Sequence, residues 1–180
     1  MKNWRVLGID DSFSKEFCCI VGCVMSGRNI EGFMFEEISV DGFDSTEKIV
    51  NMVKRSKFFN QLKCLFLGGI TFGGFNVADI SKINEQTGIP VVVVMNRKPN
   101  MDEFRNALRN LNGYEERIAM VERAGAIYNL GSLFVQFYGL NLDEVRKLIE
   151  INTWRGKIPE ALRIAHLVAS AIVHGESKSR

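Results

Sequence analysis

The chain has 180 residues, of which 46% are apolar and 24% charged, and this is the composition of a globular protein with a substantial core. A net charge of +2 does not by itself indicate a nucleic-acid partner, which would require a local basic cluster. No apolar run approaches the ~20 residues of a membrane-spanning helix, and the first residues lack a signal peptide's apolar stretch. We therefore expect one cytoplasmic domain over residues 1–180 with no membrane partner, and the oligomeric state stays open.

Three strand signals open the chain. Residues 6–9 are apolar and end at Asp10-Asp11, residues 17–25 form a second apolar run, and residues 30–40 follow a tight Ser-Gly-Arg-Asn turn. Connections this short cannot make a parallel crossover, so the three strands are predicted to pair as an antiparallel meander. The meander segments hold most of the cysteines, and no C-x-x-C pair is present, so we expect reduced, packed thiols rather than zinc or disulfides. The cysteines are Cys18, Cys19, Cys23 and Cys64.

Helices and strands alternate after the meander. Asp44 precedes a helix, residues 62–67 form a continuous apolar strand, and residues 91–95 give the strongest strand signal in the chain. A glycine-rich loop follows the first of these strands, and a helix is predicted to begin at residues 76–79. The order predicts an α/β fold of the ribonuclease H-like kind, in which a mixed sheet (three-strand meander, then β-α-β-α-β) is flanked by helices.

The C-terminal part of the chain is predicted to be mainly helical. Residues 102–109 and 115–123 have helical patterns, and residues 133–138 form a late strand. Asn141 is predicted to cap a helix that runs through residue 150. Pro159 lies at the first turn of a last helix that reaches about residue 173.

Three positions along the predicted sheet bear on phosphodiester chemistry. Hydrolysis by two metal ions needs carboxylates from different segments that meet at one point. Asp10 ends the first strand and Asp44 begins the first helix, but the end of the strand at 62–67 carries Gly68, which has no ligand. Asp10 could instead be a turn acid, and an N-cap role alone would explain Asp44. Asp11 should point the opposite way from Asp10 and face solvent.

The glycine-rich loop at residues 68–76 is the second candidate. Its glycines permit close approach of the backbone to a ligand, and the helix after it could direct its N-terminus at a phosphate. The loop has neither a Walker pattern nor G-x-G-x-x-G spacing. Phe72 and Phe75 could stack on a base, although core packing is the commoner role of a phenylalanine.

The last helix carries a polar stripe on an otherwise apolar helix. Its members recur every three or four residues, so they share one face. They are Glu160, Arg163, His166, Ser170 and His174. A solvent-exposed stripe is one interpretation, and the lining of a cleft is the other, because the remaining surface of this helix is so apolar.

Four segments resemble a known family. Residues 7–11, 69–76, 88–93 and 158–166 are similar to an archaeal family of unknown function, domain-of-unknown-function family ninety-nine, itself a relative of endonuclease V. The resemblance implies a ribonuclease H-like fold and cleavage of nucleic acid near deaminated adenine with magnesium or manganese. It places Asp10 at the first metal acid, Asp44 near the second and Gly68 at the third, and it matches His166 to a histidine of the last helix.

The resemblance implies a full set of site residues. Asp10, Asp44 and His166 would be catalytic, and Asp10 and Asp44 would hold Mg or Mn, bound weakly if at all. The residues expected to contact nucleic acid are Gly69, Thr71, Phe72, Gly73, Gly74, Asn76, Arg97, Lys98 and Arg163. The expected partner is single-stranded or deaminated-base DNA or RNA.

Three functions remain open from the sequence. The first is an endonuclease V-like nucleic-acid protein with weak or absent metal-dependent cleavage, and the second is a non-catalytic module that binds nucleic acid or a nucleotide in the same groove. The third is a small-molecule enzyme that uses the glycine-rich loop. A basic stripe beside Asp10 would favour the first two, and a closed apolar pocket above the loop would favour the third.

Overall fold

The computed structural model describes residues 4–177, which form a seven-stranded mixed sheet in the order β3-β2-β1-β4-β7-β9-β8. Its strands are β1 (Arg5–Phe13), β2 (Cys18–Ser26), β3 (Asn29–Glu37), β4 (Leu62–Leu67), β7 (Val91–Met95), β8 (Tyr128–Asn129) and β9 (Phe134–Tyr138). A separate hairpin consists of β5 (Thr71–Phe72) and β6 (Asn76–Val77). The helices are α1 (Ser45–Lys54), α2 (Ile80–Thr87), α3 (Met101–Leu108), α4 (Tyr114–Arg123), α5 (Leu142–Asn152) and α6 (Glu160–His174).

The pairing of the central strands confirms the predicted topology. β1, β2 and β3 form the antiparallel meander, and β4 and β7 extend it as parallel neighbours of β1. Ile9 lies opposite Leu67, and Leu67 lies opposite Val93. Because parallel strands end at the same edge of a sheet, Asp10 and Gly68 come next to each other there.

Each face of the sheet is covered by its own apolar core. Leu7 and Ile9 belong to a core with α1 and α2, whereas Val6 belongs to a second core with α5 and α6. The strand period of two residues explains this division, since successive side chains point to opposite faces. All four cysteines are free and buried, as predicted, and burial raises the pKa of Cys23 to about 12.

Helix α6 packs directly on β1 because Gly8 has no side chain. A Cβ atom at Gly8 would lie 2.3 Å from the carbonyl carbon of Ala161 and 2.3 Å from the nitrogen of Leu162. Pro159 occupies the N-cap, and Gly175 ends the helix with a left-handed φ of 79°. The extent predicted for this helix is confirmed, and so is the Asn141 cap of α5, which is a complete capping box.

One predicted element is wrong. Residues 76–79 were expected to begin a helix, but Asn76 and Val77 form β6, and α2 begins only at Ile80. Asp79 is the better cap, since its carboxylate accepts a hydrogen bond from the Lys82 nitrogen. None of the helices in residues 4–177 combines the length and apolar character needed to span a bilayer.

Candidate functional site

Asp10 and His166 form a pair at the edge of the sheet. Asp10 is only 1% exposed, and its Oδ2 lies 3.0 Å from Nδ1 of His166 on α6. A neutral imidazole with its proton on Nδ1, facing Asp10, would leave Nε2 as the acceptor. Because the His166 side chain is partly exposed, the pair can present a proton acceptor to a neighbouring cleft.

The polar stripe of α6 divides between structural and accessible side chains. Glu160 is buried and binds Arg163 through two hydrogen bonds, from Nε to Oε2 (2.8 Å) and from Nη2 to Oε1 (2.6 Å). Ser170 donates to the carbonyl of Glu176, and His174 lies 3.2 Å from the hydroxyl of Ser12 on β1. Arg163 and His166 alone among the stripe residues line a cleft.

This cleft has a volume of about 540 Å³ and is basic. Its lining comprises Asn96, Arg97, Arg155, Gly156, Lys157, Ile158, Arg163, His166 and Leu167. Four of these side chains are cationic, and none is acidic. Of the basic stripe that would favour a nucleic-acid function, Arg97 and Arg163 line this cleft, whereas Lys98 is not among the lining residues.

Arg155 and Lys157 were missed in the sequence. They lie in the connection between α5 and α6, where Arg155-Gly156-Lys157 comes just before Pro159. The sequence feature that could have identified them is a pair of cationic residues in a short loop just before the helix that carries His166. Sequence spacing alone does not show that this loop lies beside the residues that follow β7.

The Asp44 carboxylate is hydrogen-bonded to Ser39 and Asn76. It accepts hydrogen bonds from the backbone nitrogen and hydroxyl of Ser39 (each 3.1 Å) and from Nδ2 of Asn76 (2.6 Å). Burial opposes ionisation of Asp44, but these hydrogen bonds outweigh it and hold its pKa below the usual value. Asp44 occupies the N-cap position of α1 without a side-chain capping bond, and Asn76 Oδ1 accepts a hydrogen bond from the Ser45 nitrogen.

The donor groups present do not fit a cluster of metal-binding carboxylates. Within residues 4–177, no three or more His, Cys, Asp or Glu side chains are grouped so that they could hold a metal ion. Gly68, beside Asp10, donates its backbone N–H to the carbonyl of Ile9 and brings no carboxylate. A two-metal centre needs several shared oxygen ligands, and this edge of the sheet supplies one buried carboxylate facing an imidazole.

The glycine-rich loop folds back onto the protein. The Gly73 nitrogen donates to Asp11 Oδ2 (2.7 Å), and the Phe75 nitrogen donates to Asp41 Oδ1 (2.8 Å). Gly74 has a φ of 87°, and a Cβ there would lie 2.3 Å from the same Asp41 oxygen. Asp11, expected to face solvent, instead anchors the loop, and these backbone N–H groups are already used within the protein.

Two residues proposed to contact nucleic acid are structural. Phe72 is 1% exposed and belongs to the core, which corrects its predicted stacking role. Asn76 is fully buried, and its amide bonds Ser45, Ser39 and Asp44. The α2 N-terminus proposed to face a phosphate is capped by Asp79. Gly69 and Thr71 remain half-buried beside the site edge.

A buried arginine, which the sequence analysis did not single out, holds this region together. Arg117 on α4 is 2% exposed and donates to the carbonyls of Asp41 (2.5 Å), Gly42 (3.0 Å) and Phe75. Its guanidinium carbon also lies 3.9 Å from the ring centroid of Phe43. Burial lowers its pKa. In the sequence, Arg117 resembles the other charged residues of α4.

Comparisons with known proteins assign the chain to a family. The family model described as Endonuclease dU matches residues 2–173. A UPF0215 protein of Archaeoglobus fulgidus is 54% identical over 180 residues, covering 100% of this chain and 99% of that protein. A UPF0215 protein of Methanosarcina barkeri is 42% identical over 182 residues, covering 98% of this chain and 94% of that protein.

Solved structures give the fold. A protein of unknown function from Archaeoglobus fulgidus has a TM-score of 0.94 at 54% identity, covering 96% of this chain and 99% of that one. Human endonuclease V has a TM-score of 0.65 at 16% identity, with coverages of 96% and 85%. Endonuclease V of Ciona intestinalis in complex with inosine-containing DNA has a TM-score of 0.62 at 14% identity, with coverages of 95% and 86%.

These likenesses confirm the predicted ribonuclease H-like fold, which is the fold of the endonuclease V structures. They do not confirm the family label that the sequence motifs suggested, family ninety-nine, because the matching model has a different description. On a match that spans nearly the whole chain, the protein belongs to the Endonuclease dU family.

Proposed function

We propose that this protein is an endonuclease V-like nucleic-acid protein of the cytoplasm that binds strands containing a deaminated base and cleaves them weakly or not at all with Mg or Mn. The observation that carries the proposal is the basic cleft beside the Asp10–His166 pair. The family description names dU, deoxyuridine, and the Ciona endonuclease V is in complex with an inosine-containing strand. The bases of these two nucleosides, uracil and hypoxanthine, are products of deamination.

The cleft suits a phosphodiester backbone. Arg97, Arg155, Lys157 and Arg163 supply positive charge, and cations placed along a concave surface neutralise successive phosphates. His166 lines the same cleft, and with its proton on Nδ1 its Nε2 would be the acceptor nitrogen. A phosphate in the cleft would therefore lie between guanidinium groups and a proton acceptor.

The hydrolytic step available to these residues is simple. A water molecule would attack phosphorus and give its proton to His166 Nε2, and the leaving oxygen would take a proton from solvent as its bond to phosphorus breaks. The cationic side chains would offset the charge on the non-bridging oxygens. Asp10 would hold the imidazole and stabilise its protonated form. We expect slow cleavage, because no metal-bound nucleophile contributes to this step.

A non-catalytic binding module is the second candidate, and the carboxylate positions favour it. Gly68 brings no ligand to the edge of the sheet, and the Asp44 carboxylate is bonded to Ser39 and Asn76. The same cleft would then bind nucleic acid or a nucleotide without cutting it. The use of the glycine-rich loop by a small-molecule enzyme is disfavoured, because Asp11 and Asp41 already accept hydrogen bonds from its backbone.

Binding is tested with single-stranded oligonucleotides that contain one deoxyuridine, one inosine or neither. Affinity should fall steeply with salt, and the double change Arg155→Gln with Lys157→Gln should lower the slope of log K against log salt by about 1.4, at roughly 0.7 per phosphate contact. Changing Lys54 and Lys82 to Gln, exposed lysines of helices on the opposite face, is the matched control. No binding by the unaltered protein at low salt would refute the proposal.

Cleavage is tested with the same strands. Slow or undetectable cutting with Mg or Mn is expected, and any cutting should be lost in Asp10→Asn. Gly68→Asp should raise manganese affinity measured by calorimetry, because it places a second carboxylate beside Asp10. The backbone allows this change, since the positive φ in the glycine pair belongs to Gly69 (155°) and not to Gly68. The gain should disappear when Asp10→Asn is added, and fast cleavage by the unaltered protein would contradict the expected weak activity.

A further inference from the structure

Glu160 is a buried carboxylate that does not line the cleft. Its side chain is 9% exposed, and that of its partner Arg163 is 31% exposed. Glu160 is the first residue of α6 and precedes Arg163 by three positions, so both lie on one helix face. A buried carboxylate is costly unless it is paired, and both oxygens of Glu160 accept hydrogen bonds from Arg163.

The pairing leaves a defined set of donors for a ligand. A guanidinium has five N–H groups in one plane, and Glu160 accepts hydrogen bonds from Nε and Nη2. The two N–H groups of Nη1 and the second one of Nη2 remain. Because Glu160 fixes the plane, the direction of these donors is set before any ligand arrives.

The other cations of the cleft are not held in this way. Arg97, Arg155 and Lys157 form no ion pair with a carboxylate in the part of the chain that the structure describes, residues 4–177. Within those residues, no carboxylate ion pair therefore fixes their orientation. Arg163 is also three residues before His166, and both line the cleft, so a phosphate bound by Arg163 lies next to His166.

We propose that Glu160 is a positioning residue: it orients the Arg163 guanidinium as a clamp for the phosphate that lies beside the Asp10–His166 pair. This inference rests on the proposed function, because it assumes that the cleft binds a phosphodiester. It assigns to a buried acid a role in binding an anion, which is the opposite of what its charge alone predicts.

The direction in which Glu160→Gln changes the affinity for an oligonucleotide therefore tests the proposal. Glu160→Gln removes a negative charge near a basic cleft, so electrostatics alone predicts tighter binding of an oligonucleotide. Loss of the clamp predicts weaker binding, by about tenfold if one charge-assisted contact is lost. The probe is the single-stranded deoxyuridine oligonucleotide, and Glu150→Gln, an exposed acid of α5, is the control with the same change in charge.

A double-mutant cycle separates positioning from a merely structural role. Arg163→Gln should weaken binding and lower the salt slope by about 0.7, and Glu160→Gln should add no further loss in that background. Arg163→Lys keeps the charge but not the planar pair of donors, so it should behave like Glu160→Gln. The lysine variant leaves Glu160 in place, and it serves as the test if Glu160→Gln fails to fold by circular dichroism.

The outcomes distinguish this inference from the function on which it rests. If the unaltered protein binds the oligonucleotide and both Glu160→Gln and Arg163→Lys bind it equally well or more tightly, the positioning role is refuted and the proposed function stands. If the unaltered protein binds no oligonucleotide, the proposed function and this inference are refuted together. Weaker binding by both variants, with no additional effect of Glu160→Gln in the Arg163→Gln background, supports the clamp.

Discussion

The close packing of α6 on β1 makes Gly8→Ala the most informative single change. The added Cβ would lie 2.3 Å from the backbone of Ala161 and Leu162, about 1 Å closer than ordinary van der Waals contact. Backbone atoms cannot rotate away as the end of a side chain can. Helix α6 must therefore shift away from β1, and His166 shifts with it relative to Asp10.

The expected cost follows from overpacking. Inserting a methyl group into a packed core costs roughly 1–3 kcal/mol, and a clash with backbone belongs at the upper end. A loss of about 3 kcal/mol lowers the melting temperature of a protein of this size by roughly 6–12 °C. Strain at the glycine itself adds nothing, because Gly8 is not among the residues with positive φ.

Gly22→Ala is the matched control. Gly22 lies on the neighbouring strand β2, and a Cβ there meets side-chain atoms: Leu7 Cδ1 at 2.9 Å and Met34 Cβ at 3.4 Å. These side chains can adjust, and alanine also reduces the entropy of the unfolded chain, so the net change should stay within about 1 kcal/mol. Thermal denaturation followed by circular dichroism measures both variants. Equal melting temperatures for Gly8→Ala and Gly22→Ala would refute the account of the α6 contact.

Two further changes test the buried polar groups. Arg117→Met should destabilise the protein by about 3 kcal/mol or more in urea denaturation, because the carbonyls of Asp41, Gly42 and Phe75 lose their donor; a loss below about 1 kcal/mol would contradict this role. Burial opposes ionisation of Asp79, but hydrogen bonds from Ser81 and Arg123 outweigh it and lower its pKa. Because the pKa of Asp79 is lower in the folded protein than in the unfolded chain, ionised Asp79 stabilises the folded state above about pH 3.9, the pKa in the unfolded chain. This stabilisation is lost as the pH falls through the pKa of the folded state. Melting curves from pH 7 to pH 2 should therefore show a smaller loss of stability in Asp79→Asn, and curves with the same pH dependence would contradict the assignment.

The sheet could be predicted from the sequence because the patterns that identify its strands lie within short segments of the chain. Apolar runs predicted β1, β2, β4 and β7, and the short connections between the first three strands predicted the antiparallel meander. The sequence placed Asp10 and Gly68 at the ends of two strands, and these ends lie at the same edge of the sheet because β1 and β4 are parallel neighbours. The sequence left open whether the α6 stripe is exposed to solvent or lines a cleft, and the structure places His166 in a cleft and next to Asp10.

The loops could not be predicted in this way because the hydrogen-bond partners of their residues are distant in sequence. Residues 76–79 have the composition of a helix start, yet Asn76 bonds Ser45, 31 positions earlier, and this holds it in β6. Arg117 bonds Asp41 across 76 positions. A polar residue that satisfies buried carbonyls looks like a surface residue in the sequence, and only the folded chain shows which carbonyls lack donors.

The arrangement of charge at the site separates this chain from a cluster of metal-binding carboxylates. Several carboxylates at one edge repel a phosphate unless cations offset them. Here Asp10 lies behind His166, Glu160 is paired with Arg163, and the lining of the cleft is cationic. The negative charges are thus paired with side chains that line the cleft. If the cleft binds nucleic acid as proposed, a phosphate would meet cationic side chains there before it met a carboxylate.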